Sequence, residues 1–393
     1  MQKNNTSSAG RPKRIALFYL LMASFTLLAI LVLGEVCARL FFTSYPIPKP
    51  PPYSSINPYK PNPYIVNMRP YLFFHIPRAQ YAQKILSYTN EYSINALGFR
   101  GDDFSIRPEK GKKRLVVLGD SIVEGHGVQV NQTFSSILNQ QLSGNNWEVL
   151  GLGVQGASPM YFAANLKRYY NLHPDAALLV VHENDLHDDE IREKTYFDSP
   201  FMENSNELIS GRKFGSLPQT SKLYSLLHTT WHTTRKTPLE EIIAQNAKIP
   251  SVHANRKAKK KLSSFAVPND KFAQRWNMSE KYLNYTLDNL REKNINIIIT
   301  SLCMVTLSFP GFRSYTDHCE NLEDRVQNWA KENALPYLSL SKTIKSALDT
   351  YKTKDVLIMN DFHPTPMTHR LLADDLLPFV RSNLGIDNKK GKS

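Results

Sequence analysis

The chain has 393 residues, 41% of them hydrophobic, with 17 Gly, 24 Pro, 3 Cys and a formal charge of +13. That hydrophobic share supports a sizeable core and excludes global disorder, and three cysteines exclude a disulfide scaffold. The charge suits a neighbourhood of anionic lipid or polyanion. Zinc-finger spacing, an RNP-like motif and an aromatic-interleaved basic stripe are all missing from the sequence, so nucleic acid is not expected as a partner.

The leader, residues 1–14, carries Lys3, Arg11, Lys13 and Arg14 and no acidic residue. It is followed by IALFYLLMASFTLLAILVLG (Ile15 to Gly34), a run without a charge. At about 1.5 Å per residue such a run crosses the roughly 30 Å hydrocarbon layer of a bilayer. No small-residue cleavage site follows, and Val36 precedes Cys37 where a lipoprotein signal needs a small residue. An uncleaved single-pass anchor over 15–42 is therefore expected, with the basic leader in the cytoplasm and the rest of the chain outside. The proline-rich PIPKPPPYSSINPYKPNPY (Pro46 to Tyr64) reads as an extended spacer within a linker, 43–64. An N-terminal extension, 65–113, leads to a domain over 114–386, and a basic tail closes the chain at 387–393.

Within the domain, apolar strand-like runs alternate with amphipathic ones. Strands are expected at 114–118, 147–151, 176–181, 295–302 and 335–340, and helices at 134–142, 159–170, 280–292, 322–332 and 366–384. Thr365-Pro366 supplies a cap and a first-turn proline for the last helix. This alternation predicts an α/β fold with a parallel sheet covered on both faces. Residues 186–277 break the rhythm and read as an insertion, a lid or cap, with His-containing stretches around Trp231 and the basic run RKAKKK (Arg256 to Lys261). Cys303 and Cys319 are near enough in sequence to bridge, but two separate thiols are the preferred expectation.

In open α/β sheets ligands collect beyond the carboxyl ends of the strands. The first domain strand ends in Gly119-Asp120-Ser121, the second in Gly151-Leu152-Gly153, the third in His182-Glu183-Asn184-Asp185. His363 lies in NDFHPTP, directly before the final helix. A serine hydroxyl needs a base to become a nucleophile, and His363 is the candidate. The backbone N–H groups of Ser121 and Gly153 and the Asn184 amide are candidate donors to an oxyanion, with glycine at 153 expected so that a substrate can approach the backbone. Asp120 is expected to hold the turn, His182 to line the pocket or be a satisfied polar residue, and His126 and His369 to be surface or packing residues. GLGVQG (Gly151 to Gly156) matches a dinucleotide fingerprint, but Asp175 precedes its strand instead of ending it, so no cofactor is expected. His182 and His187 stand five apart, which does not align two ligands on one helix face, so no metal is expected either.

Together these blocks, with the lead-in INALGFRG (Ile94 to Gly101), resemble the SGNH/GDSL hydrolases in their membrane-anchored form. The resemblance covers most of 114–384 apart from the insertion. It implies a flavodoxin-like three-layer sandwich with a mainly parallel five-stranded sheet, and an acyl-ester substrate, such as an acetylated glycan or lipid, cleaved through an acyl-enzyme. It also implies Ser121 as nucleophile, Gly153 and Asn184 as oxyanion donors and His363 as base. Two positions depart from the family pattern. His182 stands where the family has glycine, and Asn360 where it has the acid that orients the histidine, with Asp361 one residue along. A Ser–His dyad, help from Asp361, or a slow centre all stay open, and a carbohydrate O-acetyltransferase and a weakly catalytic binding module are the alternatives.

Overall fold

The computed structural model describes residues 11–41, 54–56, 65–69, 72–85, 88–196, 223, 269–304, 313–358 and 363–386. Two compact units divide the chain, Met1–Pro48 with Ser210–Thr237, and Lys49–Ile209 with Pro238–Ser393. In the first, helix α1 (Arg11–Phe41) contains a 23-residue apolar run, Ile15–Cys37, of mean hydropathy 2.6. At about 1.5 Å per residue this is roughly 35 Å, long enough to cross a bilayer, whether as an anchor or as a signal sequence.

The second unit is built on a five-stranded parallel sheet: β6 (Lys113–Leu118), β7 (Trp147–Gly151), β8 (Ala176–His182), β9 (Asn296–Leu302) and β10 (Tyr337–Ser339), in the order β10-β9-β8-β6-β7. The strand runs allow this because their side chains alternate between two apolar layers. Val116, Leu118, Ala177, Leu179 and Val181 face one core, and Leu115, Val117, Ala176, Leu178 and Val180 the other. The first layer is closed by α4 (Pro159–Ala164), α5 (Leu166–Tyr170), α7 (Asn269–Glu292) and α8 (Arg313–Glu332). The second is closed by α3 (Phe134–Leu142), α9 (Ser341–Thr350), α10 (Thr353–Val356) and α11 (Pro366–Asn383). From β6 the chain steps outward to the edge strand β7, then returns across β6 to β8. That reversal is a topological switch point, the crevice where such sheets bind ligands. The expected α/β sandwich is therefore the observed one.

Upstream of the sheet lie two antiparallel pairs, β2 (Ile65–Arg69) with β3 (Leu72–His75), and β4 (Gln80–Ile85) with β5 (Tyr88–Ser93). Strand β1 (Ser55–Ile56) lies parallel to β4, so this part of the expected spacer is paired with the extension.

Three further expectations change. The helix expected over 159–170 is interrupted at Asn165, at φ −107° and ψ 11°, whose side chain donates to the Tyr161 carbonyl at 2.8 Å. Cys303 and Cys319 form a disulfide with Cα atoms 5.8 Å apart, correcting the expectation of two thiols. Cys303 follows β9 and Cys319 lies on α8, so the fold supplies the proximity that spacing alone did not. The ends of the expected insertion also belong to the core. Helix α6 (Asp185–Tyr196) starts at the end of β8, and α7 begins at Asn269 and buries Phe272 and Trp276. Trp231 and its neighbours, Arg256 to Lys261 and the 387–393 tail lie outside the described residues.

Helices α4, α6 and α7 meet at Asp189. Its carboxyl is wholly buried and accepts from Ser279 Oγ at 2.6 Å and from the Met160 N–H at 3.2 Å. Burial raises its pKa to about 6 in spite of these bonds. A carboxyl raised on folding stabilises the fold while protonated and loses that contribution as pH climbs through the folded value, here on the order of 3 kcal/mol. In urea unfolding, Asp189→Asn should lack this fall between about pH 4 and 6 and gain on the wild type at neutral pH. Parallel pH profiles for the two proteins would contradict the assignment.

Candidate active site

At the end of β6 the chain turns into α2 (Ser121–Glu124), a single turn capped by Asp120, whose Oδ1 accepts the Ile122 N–H at 2.9 Å. Ser121 is the first helical residue, so its own N–H has no partner within the helix. The Glu124 N–H returns to the Asp120 carbonyl at 3.0 Å and the His126 N–H to the Ser121 carbonyl at 2.9 Å. Gly125 then ends the turn in the left-handed region, at φ 80°, where a side chain would meet Thr133.

His363 reaches this turn from the other end of the chain. Leu357 and Pro364 form an antiparallel bridge, the Ile358 N–H donates to the His363 carbonyl at 2.8 Å, and Thr365 caps α11 through the Thr368 N–H. The result is a hydrogen bond between His363 Nε2 and Ser121 Oγ at 2.8 Å, across 242 residues of sequence. Both side chains are buried, at 8% and 6% exposure. A hydroxyl bonded to an imidazole nitrogen is the arrangement through which a serine loses its proton as it attacks.

The other expected residues fall into place unequally. Gly153 stands past β7 directly against α2. A Cβ there would lie 2.2 Å from the Glu124 nitrogen and 2.7 Å from the Asp120 carbonyl oxygen. Close packing on the turn, rather than the expected room for a substrate, is what demands glycine. The N–H groups of Leu152 and Val154 bond to the Val117 and Gly119 carbonyls, which ties the segment carrying Gly153 to β6 and its turn. Asn184 opens α6, its carbonyl accepting from the His187 and Asp188 N–H groups, and its side-chain amide donates to Asp188 Oδ2 at 3.2 Å. Asn360 and Asp361 lie outside the described residues.

Asp120 does more than cap the turn. Its Oδ2 is 2.9 Å from His182 Nδ1 and 3.4 Å from Ser121 Oγ. Burial pushes this carboxyl up, but the His182 ring, the Ile122 N–H and the charge on His363 outweigh it and hold the group below the usual carboxylate range. Asp185, which accepts the His182 N–H at 3.0 Å, moves the opposite way. Burial and the Asp120 charge raise it well above an ordinary carboxyl. His182 is buried beside the turn and pairs through Nδ1 with Asp120.

Several site residues were not legible in the sequence. Glu124 is buried at the end of α2; its Oε2 accepts the Gln155 N–H at 2.5 Å and lies 3.1 Å from His75 Nε2. Burial opposes its ionisation, yet His75, Arg100 and the Gln155 N–H hold its carboxyl low. Arg100 donates to the carbonyls of Gly125 at 2.5 Å, Val128 at 2.7 Å and Glu91 at 2.9 Å, and lies 3.7 Å from the centre of the Tyr92 ring. His126 and His369 are buried packing residues, as one of the two expectations held. Burial lowers His369 to about 3, which leaves its Nδ1 free to accept the Phe134 N–H at 3.3 Å. Among the described residues no group of three or more His, Cys, Asp or Glu side chains could hold a metal ion.

No family model matches the chain, and no curated protein matches it either. Solved structures do. A protein described as a putative lipolytic protein of the G-D-S-L family from Desulfitobacterium hafniense is 11% identical, matching 68% of this chain and 99% of its own at a TM-score of 0.38. A lipolytic protein of the same family from Veillonella parvula is 12% identical over 68% of this chain and 97% of its own, TM-score 0.38. A catalytic mutant of an acetylxylan esterase from Geobacillus stearothermophilus is 12% identical over 69% and 95%, TM-score 0.41. At these values the site's own geometry has to carry the function.

The contact at Gly153 makes a direct prediction. Gly153→Ala should force the α2 backbone to move, costing about 1–3 kcal/mol of stability and slowing any reaction at Ser121. Thermal unfolding and labelling of Ser121 by a serine-directed phosphonate measure the two effects. An unchanged Tm and labelling rate would show that the turn and Gly153 are not in contact.

Proposed function

We propose that this chain is a membrane-anchored serine esterase of the SGNH/GDSL type. The observation that supports it best is the 2.8 Å bond between Ser121 Oγ and His363 Nε2, beyond the carboxyl ends of a parallel sheet and at its switch point. In this reading Ser121 Oγ attacks the carbonyl carbon of a carboxylic ester as its proton passes to His363 Nε2. The tetrahedral oxyanion takes hydrogen bonds from the Ser121 and Gly153 N–H groups and from the Asn184 amide, each worth about 10²–10³ in rate. Collapse expels the alcohol, which receives the proton from His363. Water, deprotonated by the same ring, then attacks the acyl-Ser121 ester and releases the acid.

The basic leader and the apolar run of α1 support a catalytic unit held outside the cytoplasmic membrane, the leader remaining inside. An O-acetyl ester on an envelope glycan or lipid is the substrate class in keeping with that place. No cofactor takes part in this scheme.

Hydrolysis of p-nitrophenyl acetate by the full chain in detergent tests the reading. Ser121→Ala should lower kcat by about 10³ or more, and His363→Ala similarly. Labelling of wild-type Ser121 by a phosphonate without turnover would point instead to acyl transfer to a sugar hydroxyl. Neither labelling nor turnover in folded protein would point to a binding module. The same assay identifies the group that orients His363. If Asn360 holds that position, Asn360→Asp raises kcat, by up to about 10⁴ where the orienter limits the rate, and Asp361→Ala changes little. Collapse in Asp361→Ala, with no gain in Asn360→Asp, assigns the role to Asp361.

A further inference from the structure

His126 touches both members of the Ser–His pair. Its main-chain N–H donates to the Ser121 carbonyl at 2.9 Å. Its ring lies against the His363 ring, with centroids 4.2 Å apart and planes 34° from parallel. On its other side, Tyr88 Oη is 3.2 Å from His126 Nε2, the two rings meeting edge to face at 6.4 Å and 82°. Tyr88 opens β5, in the N-terminal extension. The next residue is just as tightly set. Gly127 sits at φ 87°, and a Cβ there would lie 2.1 Å from Ile358 Cδ1 and 3.5 Å from Tyr88 Cζ. Ile358 in turn binds the His363 carbonyl. Extension, nucleophile turn and base loop therefore converge on one buried imidazole, 2% exposed.

We propose that His126 is a positioning residue for the Ser121–His363 pair, braced by Tyr88, so that the N-terminal extension is a working part of the centre. The proposal rests on the reading of Ser121 and His363 as nucleophile and base, and adds to it what fixes the base. A general base acts only when its nitrogen lies on the line to the proton it removes, and a misplacement of about 1 Å can cost 10²-fold. A ring stacked on His363 blocks the swing of the imidazole that would break the 2.8 Å bond. Asp120 faces the same pair from the other side, its Oδ2 3.4 Å from Ser121 Oγ, so the two side chains are held between the turn and the His126 ring.

The test uses the full chain in detergent and the second-order rate of phosphonate labelling at Ser121, read by intact mass with Ser121→Ala as blank. His126→Ala should label about 10- to 100-fold more slowly. His126→Phe, which keeps a ring against His363, should recover most of that loss. Tyr88→Phe should slow labelling by a smaller factor. A folded His126→Ala with the wild-type rate would overturn the proposal, as would a His126→Phe no faster than His126→Ala. Should His126→Ala fail to fold, His126→Leu, which keeps bulk without a ring, takes its place in both comparisons. Absence of labelling in the wild type would remove the Ser–His reading and this proposal with it; a labelled wild type with unaffected variants would remove the proposal alone.

Discussion

A four-residue helix cannot hold its own shape, since a single turn fixes several dihedral angles for very few hydrogen bonds. The turn from Asp120 to Val128 is therefore stable only because other parts of the chain satisfy its polar groups. Asp120 takes the Ile122 N–H, Arg100 takes the carbonyls of Gly125 and Val128, and Glu124 is fixed by the Gln155 N–H and by His75. Those partners come from three separate segments. Loss of any one leaves a buried polar group unpaired, which costs more than the bond itself contributed. The position of Ser121 is thus a property of the whole unit, and the extension before the sheet is as much a part of it as β6.

The same dependence explains how residues 242 apart in sequence come within hydrogen-bond distance. The parallel sheet delivers Ser121 and the start of α6 to one edge because every strand points the same way. His363 arrives by a different route. Helix α11 packs on α3, and His369 fixes the two together by accepting the Phe134 N–H. That bond needs a neutral imidazole, and burial supplies one by holding His369 near 3. With α11 anchored, His363, two residues before the Thr365 cap, is held within hydrogen-bond distance of Ser121.

What the sequence revealed of this arrangement was the part written in short-range pattern. Strand β7 and helix α3 have the expected bounds, the Thr365 cap is in place, and Ser121 and His363 meet, because alternation, capping and strand ends are local signals. Apart from the local break at Asn165, the misses were matters of long-range pairing. Nothing local in the sequence marks Arg100 or Glu124; their roles come from Tyr92, Gly125, Gln155 and His75, which surround them in the fold. The Cys303–Cys319 bond depends on how α8 lies along β9, and the length of α7 on the apolar bed that α4 and α6 offer Phe272 and Trp276. The reason for Gly153 was misread in the same way: its neighbour is backbone 29 residues earlier in the chain, at Glu124.

His182 shows how a departure from a family pattern can be read from its surroundings. A carboxylate whose Oδ2 lies 3.4 Å from Ser121 Oγ would, with Ser121 as the proposed nucleophile, oppose the negative charge that grows on an attacked carbonyl. With glycine at 182 the Asp120 carboxylate would lose its nearest imidazole and keep the Ile122 N–H and the more distant His363 to disperse its charge. The His182 ring, 2.9 Å from Oδ2, takes up that side of the carboxylate instead. Asp185 is pushed the opposite way, up, by burial and by Asp120 itself, so a negative charge on it is disfavoured beneath the site. A carboxylate whose charge is shared with an imidazole is one that a serine nucleophile can work beside, because an uncompensated charge there would raise the barrier to every step that builds an oxyanion. The imidazole at 182 is therefore consistent with a working centre, because it answers a cost that the buried Asp120 imposes.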